Sequence, residues 1–92
     1  MQATAATFAA LTARIKDAAA RLCGGRLVLV HEGGYSEAYV PFCGHATIAT
    51  LAGSEVMAPD PMASAFDIRQ PSPAFDVFLR QSIDDMALAL GF

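Results

Sequence analysis

Arg26-Leu27-Val28-Leu29-Val30-His31 is an unbroken run of leucine and valine between two polar ends. It does not alternate apolar with polar, so it predicts a parallel strand buried on both faces. Before it, the residues from about Thr4 to Leu22 carry a helical pattern. Phe8, Leu11, Ile15, Ala18 and Leu22 fall at steps of three or four and form one apolar stripe. Arg14, Lys16, Asp17 and Arg21 lie largely off it. Gly24-Gly25 supplies the left-handed residue that commonly ends a helix. Helix, tight turn and buried strand are half of an α/β unit.

After the run, Glu32-Gly33-Gly34-Tyr35-Ser36 breaks the strand. A second helix is expected from Pro41, which suits a first turn, to Leu51 or Ala52, with Gly53 closing it. Ser54 to Pro71 shows no period and contains Pro59, Pro61 and Pro71. A stretch of that kind usually wraps a larger body or serves a site. The last helix takes Ser72 as cap and Pro73 at its first position. It sets Phe75, Phe78, Leu79, Ile83, Met86 and Leu90 on one face, read as core-facing, with Gly91 past its end. The expected fold is therefore α/β, one buried parallel strand plus about three helices. Its sheet is incomplete in this chain, because a buried strand needs partners and no second run offers one. Either another copy pairs with it or the rest of the sheet lies elsewhere; the missing sheet is favoured.

Composition points the same way. The 92 residues are 54% hydrophobic and only 16% charged, where globular domains carry roughly 25% charge. Nineteen alanines inflate the first figure. Fifteen charged side chains are still few for a domain this short, which leaves over a third of its surface wet. The composition resembles the inside of something larger. A net charge of −3 offers no footprint for a phosphate backbone, so nucleic acid is not an expected partner. No apolar run approaches the ~20 residues that span a bilayer, so no membrane is expected either. The first basic residue is Arg14, so no signal peptide is visible, and Cys23 and Cys43 form no CxxC. They read as reduced thiols of a cytoplasmic protein.

The chemistry-bearing cluster is His31-Glu32-Gly33-Gly34-Tyr35. Ligand groups in open α/β sheets sit beyond the carboxyl ends of strands. Paired glycines allow positive φ or a close approach to a ligand. A tyrosine there presents a neutral hydroxyl donor, suited to polarising a carbonyl and stabilising its oxyanion. A hairpin is the competing reading, with Tyr35, Glu37 and Tyr39 alternating after a Gly-Gly turn. Pro41 shortens any such second strand. His31 reads as a hydrogen-bonded structural histidine, Glu32 as a loop anchor, and both cysteines as small apolar groups. Cys43-x-His45 supplies two metal-ligand types without the neighbourhood that would place a third on one ion.

Leu27-Val28-Leu29-Val30-His31-Glu32-Gly33-Gly34-Tyr35-Ser36, followed by Ala38-Tyr39-Val40-Pro41-Phe42-Cys43-Gly44, resembles the C-terminal part of histone deacetylases. The likeness is strongest to the bacterial histone deacetylase-like amidohydrolases of the class II type. Class I enzymes usually carry glycine where Glu32 stands. The resemblance is clear over residues 1–54 and weaker over 55–92, read as an extended loop plus the C-terminal helix of the same deacetylase domain. It implies the arginase/deacetylase fold and zinc-dependent hydrolysis of acetyl-lysine or a related acyl amine. In that family the tyrosine matching Tyr35 is catalytic and bonds the substrate carbonyl, while Gly33 and Gly34 match the loop bordering the substrate channel. The family's zinc ligands, two aspartates and a histidine, and its paired catalytic histidines have no counterpart here. The chain alone is therefore expected to be inactive, with no metal site of its own. The rival expectation is a small noncatalytic protein that hides its apolar stripes by self-association.

Overall fold

A computed structural model of the chain describes residues 3–92. Helix α1 spans Ala5–Cys23, α2 Val40–Ala52, α3 Ala63–Asp67 and α4 Pro73–Ala89. Thr4 caps α1 reciprocally: its hydroxyl accepts from the Thr7 amide at 3.3 Å, and its own amide donates to the Thr7 hydroxyl at 3.1 Å. Gly24 ends the helix at φ 62°. The expected first helix is thus present with both of its ends.

Helices α1 and α2 pack against each other along small side chains. Ala5, Thr12 and Ala19 are buried on α1, Ala46 and Ala49 on α2. The three α1 residues are spaced by seven, so they line one narrow seam. Thr12 sits in it without an orphaned hydroxyl, because that group donates to the Phe8 carbonyl at 2.7 Å. The predicted stripe of Phe8, Leu11, Ile15 and Leu22 lies roughly 70° around the helix from this seam. All four of those side chains are exposed. Lys16 joins the pair from outside, donating to the carbonyls of Thr50 and Leu51 at 3.1 and 3.0 Å. Those two carbonyls belong to the last turn of α2, which ends on Gly53.

The expected α/β architecture is not found. Among the described residues there is no strand, and Arg26–His31 is extended chain without a ladder. Val28 and Val30 are each 84% exposed on one side of the run, and on the other Leu29 is exposed and Leu27 half-buried, so the run is buried on neither face. The physical reason is pairing: a strand exists only with a neighbour, and the described residues supply none. The hairpin alternative is absent as well, since Ser36–Tyr39 turns directly into α2. The short α3 lies inside the stretch read as a loop.

Helix α4 starts as its sequence predicts, with the Ser72 hydroxyl accepting from the Phe75 amide and Pro73 in the first turn. No residue along it is buried. Of the face of Phe75, Phe78, Leu79, Ile83, Met86 and Leu90, expected to face a core, Leu79 is half-buried and the other five are exposed. The whole chain exposes 7304 Å², against ~5,100 Å² for a folded monomer of this mass. Its radius of gyration, 15.6 Å, likewise exceeds the ~12 Å of a packed domain of this length. Among the described residues no helix is long and apolar enough to cross a membrane.

Candidate functional site

Gly33 and Gly34 carry the chain into the left-handed region, at φ 72° and 96°. At Gly34 the need is also spatial. A Cβ there would stand 2.9 Å from Val40 Cγ2 and 3.2 Å from His31 Nε2. The loop is therefore pressed between the His31 imidazole and the first residue of α2. Tyr35 follows at 97% exposure, its ring turned back beside Gly33, where a Cβ would lie 3.8 Å from both Cε2 and the hydroxyl oxygen. Gly33, Gly34 and Tyr35 thus form one exposed loop with His31 at its base. Its backbone continues into α2 through Ser36, whose carbonyl accepts from the Tyr39 and Val40 amides at 3.0 and 2.9 Å.

Four residues after Tyr35, Tyr39 points the other way and is buried. Its hydroxyl donates to Asp60 Oδ2 at 2.6 Å and accepts from the Ala5 amide at 3.0 Å. Its ring lies against Phe66, with centroids 4.7 Å apart and planes tilted by 57°. Asp60 Oδ2 also accepts from the Ala5 amide at 3.3 Å, and Oδ1 from the Met62 amide at 2.9 Å. One carboxylate so joins the start of α1, the start of α2 and the approach to α3. Burial, then the bond to Asp60, pushes the Tyr39 hydroxyl up to about 12. The same bond, with those from the Met62, Ala5 and Ala63 amides, holds the Asp60 carboxyl below the ordinary carboxylate range. Cys43, half-buried one turn into α2, is pushed up first by burial and then by the Asp60 charge.

These residues do not fit the catalytic zinc of the resemblance. Among the described residues no three His, Cys, Asp or Glu side chains come together to hold an ion. Zinc needs at least three protein ligands in a catalytic site. A mostly apolar depression of about 180 Å³, lined by Ala9, His45, Ala46 and Met57, lies between α1 and α2; it is smaller than the ~300–1,000 Å³ of ordinary ligand sites.

Over 91 residues, 99% of its length, the chain is 50% identical to a histone deacetylase-like amidohydrolase of Pseudomonas aeruginosa. The chain belongs to the histone deacetylase family. It spans 24% of the length of that relative. A second match, to the chloroplastic histone deacetylase 10 of Oryza sativa subsp. japonica, is 56% identical over 36 residues, covering 39% of this chain and 8% of the relative. No family model matches the chain. Within this deacetylase-family chain, sequence reasoning singled out the Gly33-Gly34-Tyr35 loop and missed the Tyr39–Asp60 pair behind it. One local signal was available. Asp60, flanked by Pro59 and Pro61, bonds the amide two residues on, the ordinary behaviour of aspartate at a turn.

Proposed function

We propose that this chain is the portion of a histone deacetylase-like amidohydrolase that contributes the carbonyl-polarising tyrosine. The complete enzyme hydrolyses acetyl-lysine or a related acyl amide in a zinc-dependent reaction. Tyr35 donates its neutral hydroxyl to the scissile carbonyl oxygen and stabilises the charge that develops there. Gly33 and Gly34 shape the loop so that substrate passes beside the tyrosine. Metal ligands come from the part of the enzyme outside these 92 residues, and the chain by itself is inactive.

The carrying observation is the 50% identity over 91 residues to a protein of that description, in a chain whose matching loop presents Tyr35 outward. The exposed surface supports it further. An excess of ~2,000 Å² over a packed monomer is more than the ~800 Å² per partner of a standard interface. The remaining three quarters of such an enzyme would cover it.

The test is a graft. This chain replaces the matching 91 residues of the Pseudomonas relative, and turnover of an acetyl-lysine peptide is compared between the graft and its Tyr35→Phe variant. A loss of ~10²–10³ in kcat is expected from one missing oxyanion donor. Full turnover by the phenylalanine variant would remove the role from Tyr35.

A further inference from the structure

Tyr35 is aimed by its own loop, with its ring beside Gly33. Among the described residues its hydroxyl makes no hydrogen bond, and its side chain is almost wholly in solvent. Whatever fixes residues 33–36 therefore fixes the tyrosine. His31 presses on Gly34 from one side; the other two contacts end on the start of α2: the Ser36 carbonyl on the Tyr39 and Val40 amides, and Gly34 against the Val40 side chain. The start of α2 has no side-chain cap of its own. The Tyr39 side chain, at the residue that opens this helix, is buried where α1, α2 and α3 meet.

We propose that Tyr39 and Asp60 are positioning residues for Tyr35, a clamp that locks the first turn of α2 against the start of α1 and so sets the direction in which the exposed tyrosine points. The inference rests on the reading of Tyr35 as the working hydroxyl. Its geometry is specific. The Tyr39 hydroxyl uses one donor and one acceptor at once, to Asp60 Oδ2 at 2.6 Å and from Ala5 N at 3.0 Å, which selects a single side-chain placement. Phe66 closes the ring's other side. Asp60 in turn is held by the Met62 amide. The charge-assisted bond between them is the short, strong kind. A clamp of this sort matters for chemistry because misplacing a reacting group by about 1 Å can cost ~10²-fold in rate.

The test uses the 92-residue chain and reads the loop directly. Backbone amide spectra and hydrogen exchange are recorded for the unaltered chain, Tyr39→Phe, Asp60→Asn and Lys16→Met. Tyr39→Phe keeps the ring on Phe66 and deletes only the hydroxyl. It should displace the Gly33, Gly34 and Tyr35 amide resonances and speed exchange at the Tyr39 and Val40 amides by roughly tenfold, the scale of one lost hydrogen bond. Asp60→Asn should move the same resonances in the same direction. Lys16→Met loosens the far end of α2, so it should lower the melting temperature while leaving residues 33–35 where they were. Changes in Tyr39→Phe confined to Ala5 and residues 60–63 would overturn the proposal, showing a purely structural bond. All four are recorded with Phe78→Glu and Met86→Glu on α4 to keep the chain from associating; a monomeric chain without dispersed amide signals would overturn the proposal too, by removing the geometry on which it stands. In the grafted enzyme, Tyr39→Phe should lower kcat by ~10-fold or more with KM little changed; an undiminished kcat there also overturns it. Failure of Tyr35→Phe to slow that enzyme is a separate result, which removes the reading of Tyr35 and leaves the loop measurements standing.

Discussion

The Lys16 ammonium reaches the Thr50 carbonyl at 3.1 Å, so α1 places a cation on the C-terminal end of α2. That end is the negative pole of the helix, and a positive charge there is stabilising. The second bond, to Leu51, doubles the contact without a second side chain. Lys16→Met should destabilise the chain by about 0.3–1 kcal/mol, lowering Tm by a few degrees for a unit this small. Lys16→Arg should keep most of the effect. Thermal melts at low and high salt check it, since part of the loss should vanish as salt screens the charge.

Stability should fall at both pH extremes through the Tyr39–Asp60 bond. Tyr39 is raised from 10.0 to about 12 in the folded chain, so folding favours its protonated form. That contribution is complete below pH 10 and is lost as pH rises from 10 towards 12. Asp60 is lowered, so its contribution is complete above the ordinary aspartate value and is lost as pH falls through the folded one. Urea unfolding across pH tests both arms. Tyr39→Phe should abolish the alkaline arm and shrink the acid one.

Gly34→Ala should cost more than its size suggests. It places a side chain at φ 96° and 2.9 Å from Val40 Cγ2, so strain and crowding coincide. About 1–3 kcal/mol is the usual cost of such a backbone. Because the loop is exposed, it should yield before the helices do. Amide exchange at residues 33–40 should quicken while the α1 and α2 seam stays protected. Gly34→Ala with Val40→Ala should recover the crowding part alone.

How much of this was legible follows from what each residue needs. The ends of α1, α2 and α4 were readable because Thr4, Gly24, Gly53, Ser72 and Pro73 act within a few residues of themselves. The run Leu27–Val30 states only that a ladder would suit it. A ladder also needs a partner strand, the described residues hold none, and the expectation of a buried strand failed for that reason. Contact between Tyr39 and Asp60, 21 residues apart, has no periodic signature. The apolar stripe of α1 is legible as a stripe, but periodicity does not say what covers it, and Phe8, Leu11, Ile15 and Leu22 lie exposed. Alanine's abundance hid the true seam at Ala5, Thr12 and Ala19, since small residues stand out in no pattern of large ones.

Exposed apolar surface should make the isolated chain associate without fixed stoichiometry. Sedimentation across a concentration series should show a broadening distribution, and Phe78→Glu with Met86→Glu on α4 should move it towards monomer. A sharp dimer unaffected by those substitutions would instead favour the self-associating interaction protein.

Zinc should leave the isolated chain unchanged. With no three-ligand cluster among the described residues, stoichiometric zinc and a chelator should both give the melting curve of the untreated chain. A rise in Tm with zinc would show a site assembled from residues such as Cys43 and His45.

The seam and the stripe of α1 divide its vocabulary of tolerated change. Ala5, Thr12 and Ala19 can hardly grow, because α2 already lies against them. Phe8, Leu11 and Ile15 can shrink at little cost to the helix pair and lose their value only where a larger body sits upon them. Random substitution scored by survival of the short chain, and the same library scored by turnover in a complete enzyme, would therefore light up different edges of one helix. Folding and assembly are written on the same nineteen residues in two scripts that scarcely overlap.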